Sequence, residues 1–545
     1  MKIRNIQQNM FFLLFILLSI TVFITPSSYG YSNKYKISNL NNWSPSAPMS
    51  LQNTYVPHEP IIIEHESNFT DYGIPGSGTE TSPYIIEGYN ITTIEYEAIR
   101  ISSIFYYVVV RNCYLNADLY GINMGSSNEG SVVIENNYIE DNNFGIYVSY
   151  LDSAEINNNT CKNNWKGIQV EYVDELDVHD NYCFSKSGVQ DCGIYIANAP
   201  YATITENVCL DAWKGFYFDH CGSSMIKDNL AYYNVRYGME IYSSNGATVI
   251  DNQSILSGKY GFYFYSFGSH VIKNNYADDH EYGIYIKSSA SSIIENNFCE
   301  LNDYGIFLES STSTKVQDNK VSMSDYGIQT VTTDSAIIAN NTCYYNDISI
   351  LIVDSDSISI ANNTHYNNTI GIQTDSSSYS EIRSNNCSFN VIGINLIEEY
   401  SSEILENICY QNTQYGIKLS ETSSCDFHYN IIQENTDYGL YIDGTSSNNF
   451  LTHNSFIDNK LGYFSQAYDA GAANDWFNGI KKEGNYWSNL GENETYEIAG
   501  PAGSIDFYPL DENLEKPSAS TYIMLCLALV SISWISLRVK KRKKD

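Results

Sequence analysis

Four acidic residues recur at one position of a repeated phrase. They begin "EYGIYI", "DYGIFL", "DYGIQT" and "DISILI", and their positions are Glu281, Asp303, Asp325 and Asp347. If each phrase belongs to one turn of a stacked structure, successive carboxylates stand about 4.8 Å apart. Like charges at that distance raise one another's pKa or recruit a cation, and ligand sets made only of oxygen favour calcium.

This acidic row supports two chemical interpretations. Calcium is predicted at Glu281, Asp303, Asp325 and Asp347, while Glu281, Asp303 and Asp325 are the candidates for acid–base catalysis of the kind glycosidases perform. Asp278, Asp279 and His280 adjoin the row, so the Glu281–Asp303 pair is the favoured place for such catalysis. The alternative is a polar turn in water, where the side chains splay apart.

A column of large aromatic residues lies two positions after the glycines of the same phrases. Alternation along a strand places this column on the outer face, between two buried positions. Aromatic rings spaced along a surface suit sugar rings, and exposed aromatic patches mark contact sites. Cross-strand stacking that only stabilises a sheet is the alternative. The predicted ligand-binding residues are Tyr195, Tyr217, Tyr263, Tyr285 and Phe307, with Glu240 between the second and third.

Both columns require a repeated element, and the glycines define it. They recur mostly every 22 or 23 residues from Gly121 to Gly462, with Ser349 in one slot, and apolar residues follow one and three positions later. That period of two indicates strands, not helices. An asparagine precedes each glycine by eight, nine or twelve residues, so units of three short strands would stack its amides into a ladder. The sequence predicts an all-β, right-handed parallel β-helix of roughly sixteen coils over residues 105–463.

Cysteines occupy an apolar column two residues after the asparagines. Cysteine alternates there with small and apolar residues, which is typical of a buried slot. Buried thiols are predicted, while disulfides between stacked neighbours and metal binding remain alternatives. The cysteines of this prediction are Cys161, Cys183, Cys209, Cys343, Cys387 and Cys409.

The two ends of the chain carry targeting signals. Lys2 and Arg4 precede an apolar stretch, which is typical of a signal peptide or of an uncleaved anchor. An apolar segment near the C-terminus precedes six basic residues, which predicts a single-pass membrane protein with its bulk outside the cell; processing at this segment is the alternative. The predicted domains are 1–30 signal peptide, 31–55 linker, 56–104 N-terminal cap, 105–463 β-helix, 464–514 C-terminal cap, 519–537 transmembrane helix and 538–545 basic cytoplasmic tail.

Charge and motifs exclude several functions. The formal net charge of −34 makes nucleic acid an unfavourable partner, because phosphate binding needs basic patches. Standard hydrolase, zinc-protease and phosphate-loop motifs are absent from the sequence, and Asp354–Asp356 lacks the glycine and distal glutamate of an EF-hand.

Three segments resemble the NosD family of β-helix proteins, whose repeats are shared with carbohydrate-binding proteins and sugar hydrolases. They are "GSGTETSPYIIEGYNI" (76–91), "GNYWSN" (484–489) and "DFYPL" (506–510). The resemblance implies an exported β-helix protein, and the family's namesake assists copper delivery. The copper role of the family cannot be assigned to particular residues of this sequence, because its histidines, methionines and cysteines form no soft-metal cluster.

Three functions follow from these observations. The first is a membrane-anchored surface protein that binds polysaccharide or other surface ligands, or that serves as envelope structure. The second is a polysaccharide hydrolase or lyase that uses the acidic row. The third is a copper-delivery accessory of the NosD type.

Overall fold

A computed structural model describes residues 55–102, 105–125, 130–185, 192–460, 462 and 464–512. The predicted signal peptide (1–30), transmembrane helix (519–537) and basic tail (538–545) lie outside these residues. Within the described part, no helix has the length and apolar character needed to cross a membrane. Its α-helix is the short Glu66–Asp71 segment.

The chain folds as stacked parallel coils. Strand Tyr282–Lys287 lies beside Tyr304–Glu309, with Ile284 opposite Ile306 and the next coil continuing the same register. The predicted parallel β-helix is confirmed, with about 16 turns.

Each coil contributes three strands, here called the glycine strand, the second strand and the third strand. The glycine strands are Ile61–Ile63, Glu97–Ser102, Tyr120–Gly125, Phe144–Asn157, Lys166–His179, Cys192–Ala197, Lys214–Asp219, Tyr237–Tyr242, Tyr260–Tyr265, Tyr282–Lys287, Tyr304–Glu309, Tyr326–Val331, Ile348–Val353, Ile370–Ser378, Ile392–Tyr400, Ile417–Ser420, Leu440–Ile442 and Ala467–Asp469. Two of them, Phe144–Asn157 and Lys166–His179, run on through the second-strand position.

The second and third strands complete the coils. The second strands are Tyr84–Glu87, Tyr107–Arg111, Ser131–Glu135, Thr203–Thr205, Met225–Lys227, Thr248–Ile250, Val271–Lys273, Ile293–Glu295, Lys315–Gln317, Ile337–Ala339, Ser359–Ala361, Glu381–Arg383, Glu403–Leu405, Asp426–His428 and Phe450–Thr452. The third strands form a 19-stranded sheet: Val56–Pro57, Tyr89–Thr92, Tyr114–Asn116, Tyr138–Glu140, Thr160–Asn164, Tyr182–Ser185, Val208–Leu210, Leu230–Tyr232, Gln253–Ile255, Tyr276–Asp278, Phe298–Glu300, Lys320–Ser322, Thr342–Tyr344, Thr364–Tyr366, Asn386–Ser388, Ile408–Tyr410, Ile431–Gln433, Ser455–Ile457 and Tyr486–Trp487.

Both ends of the coil stack are covered. At the N-terminal end the helix buries Phe69, whose ring stacks on Tyr84 at 3.8 Å. Strand Ile61–Ile63 already pairs in parallel with Glu97–Ser102, so part of the predicted N-terminal cap is itself coiled. At the other end an antiparallel pair, Tyr496–Glu497 with Ile505–Asp506, follows the last coil. These elements protect strand edges that would otherwise pair with other chains.

The predicted asparagine ladder is present. The side chain of Asn297 donates to Asn319 Oδ1 at 3.0 Å, and the backbone N–H of Asn297 donates to the same oxygen. The pattern repeats from coil to coil between Asn137 and Asn485 through buried residues: Asn137, Asn159, Asn181, Asn207, Asn229, Asn252, Asn275, Asn297, Asn319, Asn341, Asn363, Asn385, Asn407, Asn430, Asn454 and Asn485. Buried amides that bond one another satisfy the backbone at this corner of the coil.

The glycines of the repeat allow the backbones of neighbouring coils to approach each other closely. Gly283 and Gly305 lie within strands, and a Cβ built on Gly283 would meet the carbonyl oxygen of Gly305 at 2.6 Å. The left-handed backbone of the coil instead occurs at residues just before the ladder asparagines, such as Asn296 and Asp318. Those corners use polar residues, which tolerate this conformation.

The cysteine column faces the interior, as predicted. The six cysteines of the prediction are buried, and Cys161, Cys183 and Cys209 stand opposite one another in successive strands. Their sulfur atoms are unbridged in the structure. Burial raises the pKa of the Cys343 thiol to about 12, which keeps it protonated.

Candidate functional site

The acidic row lies along one corner of the coils, where the third strand turns into the glycine strand. The backbone N–H of Tyr304 donates to the Glu281 carbonyl at 2.8 Å, and that of Tyr326 donates to Asp303 at 2.9 Å. Asp303, Asp325 and Asp347 are exposed, whereas Glu281 is half-buried and pairs with Lys259 at 3.7 Å. The row is therefore spread along four coils, and among the described residues only Glu281 of the row has a basic partner.

The three aspartates of the row interact electrostatically. Partial burial raises the pKa of Asp325, and the negative charges of Asp303 and Asp347 raise it further. A carboxyl group whose pKa is raised beside other carboxyl groups has the arrangement that general acids use. Calcium binding and catalysis at the row stay predictions.

The predicted aromatic column divides into two groups. Tyr195 and Tyr217 stack at 5.1 Å between ring centroids, and a separate group follows in which Tyr285 packs against Tyr263 at 5.2 Å and against Phe307 at 4.9 Å. Glu240 separates the groups.

A buried ion pair occupies the break between the two groups. Glu240 is 7% exposed and its carboxylate lies 2.6 Å from Lys214 Nζ, which in turn sits 3.8 Å above the ring of Tyr217. A ligand that stacked along the whole column would therefore meet this pair halfway.

A second aromatic column lies between the first column and the acidic row. It is formed by the tyrosines of the "YG" phrases, whose rings stack on one another at 4.9, 5.3, 4.7 and 5.0 Å: Tyr237, Tyr260, Tyr282, Tyr304 and Tyr326. The two columns also pack side by side, for example Tyr282 against Tyr285 at 5.0 Å.

The mutual packing determines what this aromatic face can offer a ligand. Tyr285 was expected to be exposed, but the neighbouring rings leave only 7% of it accessible. The rings of the second column stack face to face, whereas Tyr285 meets Tyr263 and Phe307 at steep angles. This geometry favours cross-strand stabilisation of the sheet.

An open groove of about 340 Å³ lies at the end of the acidic row. Asp347 lines it together with Thr369, the residue that follows it in the row, and four successive coils contribute to its walls. Its other walls include Tyr345, Asn367 and Phe389, three corner residues with positive φ. Asn367 Nδ2 has no hydrogen-bond partner among the described residues although it is buried. We call this feature the corner groove.

A charged cluster on two second strands was also missed by sequence reasoning. His179 Nδ1 lies 3.0 Å from Asp180 Oδ2, and His179 Nε2 lies 3.5 Å from Glu155 Oε1. Burial raises the pKa of Asp177 beside them. A spacing of 24 residues, unlike the regular 22, separates Glu155 from His179, so the regular columns gave no signal for the cluster.

A family model described as periplasmic copper-binding protein (NosD) matches residues 79–255, 234–370 and 336–492. The chain belongs to the NosD family. No curated protein matches the chain. The matched ranges include nearly all the coils and most of the C-terminal cap.

Solved structures resemble the chain only distantly. The Dettilon tailspike protein matches with 13% identity and a TM-score of 0.29 over 65% of this chain and 64% of its own. The periplasmic alginate epimerase AlgG matches with 12% identity and a TM-score of 0.28 over 76% and 89%. A lacto-N-biosidase from Eubacterium ramulus matches with 12% identity and a TM-score of 0.26 over 53% and 62%. The chain thus spans just under two thirds of the tailspike and of the biosidase, and similarities this low carry no argument about function.

The NosD motifs at the C-terminal end have a structural role in this chain. Asn485 is the last member of the asparagine ladder, and its backbone N–H donates to Asp506 Oδ2 at 2.8 Å. Trp487 Nε1 donates to the same carboxylate at 3.0 Å. A Cβ on Gly484 would collide with Asp506, which explains the glycine. The "GNYWSN" and "DFYPL" segments therefore close the ladder together.

The described residues do not fit the copper site that the NosD description implies. Across these residues, no three His, Cys, Asp or Glu side chains are grouped so that they could hold a metal ion. The cysteines are stacked in a line inside the coils and the histidines are scattered, whereas copper needs several soft ligands around one point.

Proposed function

We propose that this NosD-family protein binds an extended polysaccharide along the corner that carries the acidic row, with the corner groove as its main contact. The observation that supports this proposal is the groove itself, which combines two aromatic rings with carboxylate, amide and hydroxyl groups. Ligand sites characteristically combine apolar walls with a few polar groups that fix orientation. Aromatic rings cover the apolar faces of sugars, and the polar groups bond their hydroxyls.

The shape of the groove favours a chain-like ligand. Its lining residues come from four successive coils, so the groove runs along the axis of the β-helix. An extended chain in it would cross about 4.8 Å per coil. The acidic row continues this direction through Asp325 and Asp303, and its carboxylates would bond sugar hydroxyls directly or through calcium.

We propose further that the protein works outside the cell, held by the apolar segment 519–537. The sequence signals at both ends support this placement. An anchored β-helix that binds a surface polysaccharide would hold the envelope layer to the membrane.

Catalysis at the acidic row is the second candidate, and the raised pKa of Asp325 between Asp303 and Asp347 favours it. In that case Asp325 would act as the acid and an ionised neighbour as the base or nucleophile. Changing Asp303 and Asp325 to Asn should then abolish turnover of the polysaccharide and leave binding in place.

The test of binding uses matched substitutions at corner positions of positive φ. Tyr345→Asn and Phe389→Asn remove the groove's rings, and Asn is chosen because it tolerates the left-handed conformation of both sites. Tyr379→Asn is the control, since Tyr379 is 67% exposed, also has positive φ and lies outside the groove. Affinity for polysaccharides on a glycan array, measured with the full-length chain, should fall about tenfold or more in the double groove variant and not in the control.

Three results would contradict the proposal. Binding that survives in the groove variant but is lost after Tyr263→Ala and Phe307→Ala would place the site on the aromatic face. Equal losses in the groove variant and in Tyr379→Asn would indicate general destabilisation. Absence of binding to any glycan, with and without calcium, would favour an envelope-structure role.

A further inference from the structure

Glu399 is a carboxylate inside the β-helix. It is 0% exposed and lies in the glycine strand Ile392–Tyr400. Six positions after the glycine, the preceding coils carry hydroxyl residues whose oxygens accept the backbone N–H of the previous coil: Ser289, Ser311, Thr333, Ser355 and Ser377. Glu399 takes the next place in this hydroxyl ladder, opposite Ser377. A single carboxylate therefore replaces a hydroxyl in a buried column.

Hydroxyl groups surround the Glu399 carboxylate. Ser402 Oγ donates to Glu399 Oε1, and Ser402 Oγ also accepts the N–H of Ser380 at 2.8 Å. Burial raises the pKa of Glu399, and the nearby hydroxyls of Ser402, Thr374 and Ser380 oppose this rise by favouring the charged form. Thr374 is 0% exposed, Ser380 is 2% exposed and Ser402 is 1% exposed. Four buried oxygen-bearing side chains from two successive coils thus converge.

Three atoms of this cluster have unused bonding capacity. Thr374 Oγ1, Ser380 Oγ and Glu399 Oε2 are buried and make no hydrogen bond of normal geometry within the described residues. Buried polar groups are normally paired, and an isolated buried charge is very costly. Neither lysine nor arginine in the described ranges forms an ion pair with Glu399, and the charge that acts on it is the negative charge of Asp356. Either a proton or a bound cation must therefore neutralise this carboxylate.

We propose that Glu399, Thr374, Ser380 and Ser402 form a buried binding site for a monovalent hard cation such as Na⁺. Carboxylate and hydroxyl oxygens are the ligands that hard cations prefer. One positive charge neutralises the one buried carboxylate, whereas a divalent ion would leave an uncompensated positive charge in the interior. The acidic residue Asp356 acts electrostatically on Glu399 and would raise the local cation concentration there.

The site is tested by the thermal unfolding of the full-length chain. The unfolding temperature in NaCl is compared with that in the chloride of a bulky organic cation at equal ionic strength. It is also measured in KCl and in CaCl₂. A cation that binds only the folded chain raises the unfolding temperature as its concentration increases. We expect saturating Na⁺ to raise the unfolding temperature of the native chain by ~3 °C over the organic cation.

Two glutamine variants distinguish the site from general salt effects. Glu399→Gln is nearly isosteric and should lose the Na⁺ effect. Glu398→Gln, at the neighbouring half-buried glutamate that bonds Ser376, should retain it. Equal unfolding temperatures of the native chain in Na⁺ and in the organic cation would overturn the proposal and mean that Glu399 is simply protonated. Stabilisation by Ca²⁺ but not by Na⁺ would overturn the assignment to a monovalent ion.

If Glu399→Gln fails to fold, the native chain still decides the question. A crystal soaked in thallium(I), an electron-dense monovalent ion, should show an anomalous peak within bonding distance of Glu399 Oε2 and Thr374 Oγ1. If the anomalous difference map shows no peak at that position while thallium occupies other sites in the crystal, the proposed site is rejected.

Discussion

Ser349 and His365 are linked exceptions to the repeat. Ser349 stands where other coils have glycine, and His365 stands in the column of cysteines and small residues. Both are 0% exposed, and Ser349 Oγ lies 2.5 Å from His365 Nδ1. Burial lowers the pKa of His365 to about 3, so the imidazole is neutral at ordinary pH. The pair therefore replaces a glycine–cysteine contact by a neutral hydrogen bond.

We expect the effects of substituting Ser349 and His365 on the free energy of unfolding to be non-additive. Ser349→Gly leaves the histidine without its partner, and His365→Cys leaves a buried hydroxyl and a cavity, so each should cost about 1–3 kcal/mol. The double variant restores the arrangement of the neighbouring coils, as at Gly371 and Cys387, and should cost less than the sum by about 1 kcal/mol. Amide hydrogen exchange over residues 348–366 measures these local effects. Strict additivity would show that the two residues are not coupled.

Single residues of the candidate site were predictable only in part. The acidic row was found because four acids share one column, and the structure places them along one corner. The corner groove was not found, because its lining residues Tyr345, Asn367 and Phe389 share a backbone conformation and no common chemistry. The exposure of Tyr285 was also misjudged, since alternation shows which side of a strand a residue faces but not how neighbouring rings cover it.

At the scale of elements, period and side-chain type together made the first asparagine ladder predictable. A second ladder, five residues further on, escaped notice because asparagine fills only part of it. Asn346 Nδ2 donates to Asn368 Oδ1 at 3.2 Å and Asn368 Nδ2 to Asn390 Oδ1 at 3.0 Å, but other coils carry Ala212, Ser257, His280 or Ser324 at this position. In such a mixed column, different residue types occupy the same position of successive coils. A search for one recurring residue type therefore does not reveal the column.

Removing the Asp506 carboxylate from the C-terminal cap is expected to destabilise only the C-terminal end of the coil stack. Asp506 is 0% exposed and accepts hydrogen bonds from the backbone of Asn485, the indole of Trp487 and the backbone of Tyr508. Asp506→Ala would leave three donors unpaired, and each buried unpaired donor costs about 1–3 kcal/mol. The ladder should fray from its C-terminal end.

Hydrogen exchange and limited proteolysis measure this effect. In Asp506→Ala, amides of the last coils, residues 431–487, should lose protection while those of the central coils keep theirs. Asp511→Ala, at an exposed residue of the same cap, is the control and should change nothing. Uniform loss of protection along the chain would show that the coils unfold as one unit and that the cap is not a local closure.

At the scale of the whole molecule, the described chain is a one-dimensional stack. Coils contact mainly their immediate neighbours, so each coil is stabilised by its own core and by two interfaces. Registers repeat with little change: Tyr260 lies opposite Tyr282, which lies opposite Tyr304. The corner groove belongs to the coils of residues 345–413 and shares no residue with the coil that starts at Tyr282. Coils outside the corner groove can therefore be altered without changing the residues that line the groove.

Removal of one complete coil tests this separation. Deleting residues 282–303 joins Glu281 to Tyr304, and Asn275 then stands one coil from Asn319 with the ladder intact. The shortened chain should keep its β-sheet circular dichroism, become shorter by about 4.8 Å in solution scattering and bind polysaccharide as the full chain does. Deleting only residues 293–303 removes half a coil, places apolar residues at outer positions and should prevent folding. The deletion removes Asp303 from the acidic row and brings Glu281 next to Tyr304 in its place. A shortened chain that folds but loses binding would mean that the ligand extends along the acidic row to Asp303, beyond the groove.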